Sequence, residues 1–154
     1  MIHNKVKTLL ISLFLVFFSL GLMAKEEDAV IGTWLTQDKD AKVKIYKKYN
    51  KFYGKLVWLK EPNRRGKPKM DDNNPDKSKR KRKLLGLVIL TNFVYDEDYV
   101  WEDGDIYDPK TGNTYSCKMT LSKDKNTLEV RGYIGFSLFG RTSVWHRTKD
   151  INKK

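Results

Sequence analysis

The stretch AKVKIYKK, Ala41 to Lys48, alternates with a period of two: Ala41, Val43 and Ile45 fall on one face, Lys42, Lys44 and Lys48 on the other. A half-buried β-strand produces this pattern and a helix does not. The same alternation returns in TYSCKMTL, where Tyr115, Cys117, Met119 and Leu121 oppose Thr114, Ser116, Lys118 and Thr120. It returns again in TLEVRGYI, with Leu128, Val130 and Ile134 against Glu129, Arg131 and Tyr133. No long helical period appears, so the chain reads as all-β with one wet face to its sheet.

Between these runs lie QDKDA, YNKFYG, DPKTGNT and SKDKNT, rich in the residues that make turns. Eight strands are predicted, at roughly 31–37, 41–49, 51–60, 84–95, 99–107, 113–122, 126–134 and 140–148. Short connections imply antiparallel hairpins in sequence order. The exception is a long basic surface loop, 61–83, holding Pro62, Pro68 and Pro75. Eight such strands hide their edges by closing into an up-and-down barrel, whose interior is either filled by side chains or holds one small ligand. An open sandwich is the alternative.

The chain is expected to begin with a secretory signal. Lys5 and Lys7 precede an apolar run from Thr8 to Leu22, and Ala24 offers a small residue for cleavage. The run is short for a membrane span, which needs about 20 apolar residues. The mature chain, 25–154, is expected to form one domain with its core at 31–148, exported to the periplasm and monomeric. Lys5 and Lys7 are the only charged residues before Lys25, so the remainder holds 29 basic and 19 acidic residues, a net charge of +10. Cys117 is the only cysteine, so stability must come from a hydrophobic core rather than a disulfide. An exported protein does not meet chromosomal nucleic acid, so the run KSKRKRK, Lys77 to Lys83, is not read as a nucleic-acid site. An anionic envelope component is the partner it would suit. A solvated, solubilising face is the plainer reading.

Trp34 in IGTWLT and Arg147 in SVWHRT would sit on the first and last strands, which a closed barrel makes neighbours. A guanidinium over the indole would shut that end by a cation–π contact of about 0.5–2 kcal/mol; simple core filling is the alternative for Trp34. This pairing resembles the calycin superfamily, which includes lipocalins. Across 31–147, the segments GTWLTQDKDAKVKI, YGKLVWLKEP, DDNNPDKSKRKRKLLGL, WEDGDIYDPKTGNTYSCKMTL and LEVRGYIGFSLFGRTSVWHR resemble the bacterial domain-of-unknown-function family 2147. The resemblance implies an exported β-rich domain with no activity established. Its pattern covers Asn74, Pro75, Asp76, Arg80, Arg82, Leu84, Gly86 and Leu87; Lys83 stands where the family usually has proline.

Arg80 and Arg82 could grip a carboxylate or phosphate, or clamp the loop to Asp71, Asp72 or Asp76; the clamp is favoured. DDNNPD alternates oxygen donors but lacks the glycine and late glutamate of a calcium loop. It reads better as an Asx-turn around Pro75, and no metal or cofactor is expected. GFSLFG, between Gly135 and Gly140, reads as an apolar lid or a wide turn. His146 is the only histidine after the leader, and Cys117 falls on an apolar face. An enzyme would need that histidine or a carboxylate pair. The expectation is therefore a non-enzymatic barrel binding a small amphipathic or anionic molecule, with Trp58, Trp101, Tyr107, Arg131 and Tyr133 as candidate ligand residues and no catalytic residue assigned.

Overall fold

A computed structural model describes residues 26–135 and 139–149. Residues 1–25, where a secretory signal is expected, and the middle of the GFSLFG segment lie outside the described residues. The strands are β1 (Gly32–Leu35), β2 (Ala41–Lys48), β3 (Lys51–Leu59), β4 (Asn63–Arg64), β5 (Lys67–Pro68), β6 (Val88–Tyr95), β7 (Val100–Asp108), β8 (Asn113–Leu121), β9 (Thr127–Tyr133) and β10 (Gly140–Thr148). Eight of them close an antiparallel barrel in the order β1-β10-β9-β8-β7-β6-β3-β2, while β4 and β5 form a small separate hairpin. First and last strands meet as expected, with Trp34 directly opposite Arg147.

The alternating apolar residues fill the interior. Trp34, Phe52, Phe93 and Trp101 are completely buried. Phe52 meets Trp101 edge-on at 6.1 Å, and Tyr95 lies 5.3 Å from the same indole. Rings of this size leave no through-channel at that level of an eight-stranded barrel.

This end is sealed from below by a 3-10 turn, Asp28–Val30. The Trp34 indole donates to the Val30 carbonyl at 2.9 Å and the Trp101 indole to that of Glu27 at 3.2 Å. Arg147 lies 4.2 Å from the centre of the Trp34 ring. Its nitrogens donate to the carbonyls of Ala29, Ile31 and Lys125 at 2.7, 3.0 and 2.6 Å. Residue 32 must be glycine here: its φ is +148°, and a Cβ would stand 2.5 Å from Arg147 Nη1.

Strict alternation breaks at bulges. Val43 pairs with Leu56 and Lys42 with Trp58, so Val57 is an extra residue in β3. Strand β6 begins at Val88, later than its apolar run suggests. Gly86, at φ +92°, turns the chain first, and its N–H reaches the Leu56 carbonyl at 2.8 Å.

Candidate functional site

The opposite end of the barrel is formed by the connections 36–40, 60–87 and 109–112, together with the adjoining ends of β9 and β10. The first is closed by Thr36, whose hydroxyl donates to Asp40 at 2.9 Å. The third turns at Asp108, which accepts from the Lys110 N–H through its carboxylate and from the Gly112 N–H through its carbonyl, at 2.9 and 2.8 Å. Gly112 has φ +78°, and any Cβ would strike the Asn73 carbonyl of the long loop. Lys110 reaches across the mouth to Asp40 at 2.9 Å. Burial opposes ionisation of Asp40, but hydrogen bonds from Lys110 and Thr36 outweigh it and hold the carboxyl below its ordinary value. The same bond from Asp40 raises Lys110. Both therefore stay charged at neutral pH.

The long loop is more ordered than its composition suggests. It carries the β4–β5 hairpin, a bridge between Met70 and Lys83, and a 3-10 turn at Lys77–Lys79 capped by the Asp76 side chain. Its anchor is Asp71, which is fully buried. That carboxylate accepts from Tyr107 at 2.5 Å, Arg82 at 2.7 Å and Asn74 at 2.8 Å. Burial raises its pKa, and these three donors more than reverse the shift, leaving it below its ordinary value. Burial together with the adjacent carboxylate pushes the Tyr107 phenol up to about 12. Arg80 donates to the Asn74 carbonyl at 2.7 Å, so both arginines serve as internal clamps. The Asp76 N–H meets the Asn74 side chain at 2.9 Å, making the Asx-turn around Pro75. The Asn73 side-chain amide ties the loop to the Lys110 carbonyl at 2.9 Å.

Between this loop and the rim lies an open cleft of about 510 Å³. Its apolar lining includes Leu56, Leu59, Leu84, Ile89, Ile106 and Trp145, and its rim includes Asp40, Lys69 and Lys110. A second cleft of about 570 Å³ adjoins it, with Tyr115, Tyr133, Ile134 and Phe139 in its wall. Asp38, Ile106, Asp108 and Lys110 border both. A pocket of such size and apolarity with a few polar groups matches small-molecule sites in general.

A protein-family model described as "Uncharacterized protein conserved in bacteria (DUF2147)" matches residues 32–147. The chain belongs to that family. Among solved structures it is similar to protein HP1028 from Helicobacter pylori, described as belonging to the lipocalin family, with a TM-score of 0.70 and 22% identity over 79% of this chain and 84% of that one. At that identity the likeness carries the fold alone. No curated protein sequence matches the chain.

In this DUF2147 barrel the sequence-based candidates disperse. Tyr107 lines the first cleft and Tyr133 the second. Trp101 is buried core. Trp58 lies on the outer wall under Lys42, whose Nζ is 5.6 Å from its ring, because the Val57 bulge turns it outward and Leu59 inward. Arg131 donates to the Thr142 hydroxyl at 3.0 Å, from a position whose strand neighbours Val130 and Gly132 face the interior. His146 is exposed, opposite Leu35 and Thr127, away from the cleft. Burial, with Asp105 nearby, raises the Cys117 thiol to about 12, which leaves no thiolate at neutral pH. Trp145 and Ile106 were missed; strand alternation beside the exposed His146 was the signal for Trp145, while the Lys110–Asp40 bridge, spanning 70 residues, carried no sequence signal.

Proposed function

We propose that this protein is an exported, non-enzymatic barrel that holds one small amphipathic molecule in the cleft at its open end. The observation that carries the reading is the contrast between the two ends: solid aromatic packing below, and above it an apolar cleft of about 510 Å³ with a charged rim. An apolar tail would rest on Leu59, Ile106 and Trp145, and an anionic head would meet Lys69 or Lys110. The basic surplus of the mature chain attracts anions at long range, and at the rim Lys69 and Lys110 stand among Asp38, Asp40, Asp72 and Asp108, so the head group is selected by its contact with those two lysines. His146 is exposed away from the cleft and the Cys117 thiol is buried, while the rim carboxylates Asp40, Asp72 and Asp108 are engaged by Lys110, Arg64 and the Lys110 N–H, which favours binding over the catalytic alternative.

Native mass spectrometry of protein purified from its source tests this directly. A retained small mass is expected, and it should leave when Ile106→Trp fills the cleft. The same substitution should weaken binding of an anilinonaphthalene sulfonate probe at least tenfold, the scale of about 1.4 kcal/mol, with the far-UV spectrum unchanged. Protein that carries no retained mass, and binds the probe equally with and without the substitution, would overturn the reading.

A further inference from the structure

The β2–β3 hairpin and its flanks, residues 41–60, contain seven lysines and no acidic residue. The lysines are not scattered. Cross-strand partners on the outer wall are Lys42 with Trp58, Lys44 with Lys55, Tyr46 with Tyr53, and Lys48 with Lys51. Two of these four rungs set like charges directly opposite each other, an arrangement that costs stability in a sheet. The rungs between and beyond them are aromatic. Tyr46 and Tyr53 stack at 6.0 Å, Lys55 lies 5.7 Å over Tyr46, and Lys42 covers Trp58. Val88, directly across from Lys55 on β6, extends the face with an exposed apolar side chain. At the hairpin tip Tyr49 is 85% exposed and Lys48 lies 4.9 Å over its ring. Tyr49 also holds a φ of +50°, a left-handed conformation unfavourable for a bulky residue.

We propose that this outer face docks on the surface of an anionic lipid bilayer. Lys47 is held by Glu27 and Asp28 below the barrel, but Lys42, Lys48, Lys51 and Lys55 form no ion pair among the described residues and supply attraction to acidic head groups, and Tyr and Trp with polar tips suit the head-group layer. Soluble polyanions with bases or sugars fit less well. Recognition of those proceeds by stacking on open ring faces, and here ammonium groups already cover a face of Tyr46, Tyr49 and Trp58. The basic loop carries acids of its own: Asp71, Asp72 and Asp76 take up Arg82, Arg64 and Lys79. This docking is independent of whether the cleft at the mouth holds a ligand.

The test uses the processed protein with phosphatidylcholine vesicles, with and without phosphatidylglycerol. Binding is expected only with the anionic lipid and should vanish at high salt. Replacing Lys42, Lys48, Lys51 and Lys55 by Gln should lower partitioning at least about thirtyfold, each lysine near such a surface being worth about fivefold. Replacing Lys77, Lys79, Lys81 and Lys83 by Gln should change it less than about threefold. Brominated lipid should quench wild-type fluorescence, and Trp58→Phe should remove the quenching, since Trp34, Trp101 and Trp145 are buried. Loss of binding in the loop variant instead, equal loss in both, or tight binding to heparin without vesicle binding would each overturn the assignment.

Discussion

Arg147 meets one ring face and three carbonyls with a single guanidinium. Burial pulls its pKa below the ordinary arginine value, yet it starts so high that the charge persists. A lysine could keep the charge but not the planar fork. Arg147→Lys is therefore expected to cost about 2 kcal/mol in urea unfolding, the scale of lost charge-assisted hydrogen bonds. Trp34→Ala should cost about 3–5 kcal/mol as a large-to-small core change. Asp71 is the other residue on which much converges. Asp71→Ala would leave Tyr107, Asn74 and Arg82 without their acceptor, at about 2–4 kcal/mol, the lower part favoured because Arg82 is half-exposed. The pH dependence follows from the signs. Asp71 has a depressed folded value, so its contribution is present above 3.8 and lost as pH falls through the lower folded pKa. Tyr107 has a raised one, so its contribution is present below 10 and fades as pH rises toward about 12. Urea midpoints across both ranges should fall at each extreme in the wild type, and the acid-side fall should shrink in Asp71→Ala.

The elements show what a linear pattern conveys. Alternation locates strands because one face is buried along their whole length, and it recovers eight strands to within a few residues. Bulges defeat it. The extra Val57 sends Trp58 outward, and nothing in LVWL announces that change. The long loop defeats it differently: its anchoring contacts, Asp71 with Tyr107 and Asn73 with Lys110, join residues 36 and 37 apart in sequence. Composition marked the segment as polar and proline-bearing; it could not say that the loop folds back over the rim. The docking of loop on turn depends on Gly112, whose Cα faces the Asn73 carbonyl. Gly112→Ala is expected to displace the loop, speeding trypsin cleavage between Lys77 and Lys83 at least tenfold, on the scale of about 1.4 kcal/mol of local opening. The clamped wild-type loop should resist by comparison. Cleavage at equal rates would mean that the loop is held elsewhere.

At the scale of the whole barrel, stability and binding occupy opposite ends. The lower half buries Trp34, Phe52, Phe93 and Trp101 and is stitched to the 3-10 turn. The upper half has an open cleft, and its connections are held by hydrogen bonds and ion pairs that are in part exposed, Lys110–Asp40 among them. Exposed pairs of that kind contribute little, about 0–1 kcal/mol each. Local opening should therefore be graded along the barrel axis. Amide exchange is expected to be slowest at Trp34, Val43, Phe52 and Trp101, opening only with global unfolding, and fastest in 36–40 and 109–112. A ligand seated in the cleft would bridge those two turns, so it should slow exchange there while leaving the lower strands unchanged. Ligand-independent exchange at the mouth, or uniform protection along every strand, would show that the two ends are not divided in this way. The division also accounts for what the chain tolerates. A core that carries the stability at one end leaves the other free to keep apolar side chains facing solvent, which is the condition a binding cleft requires.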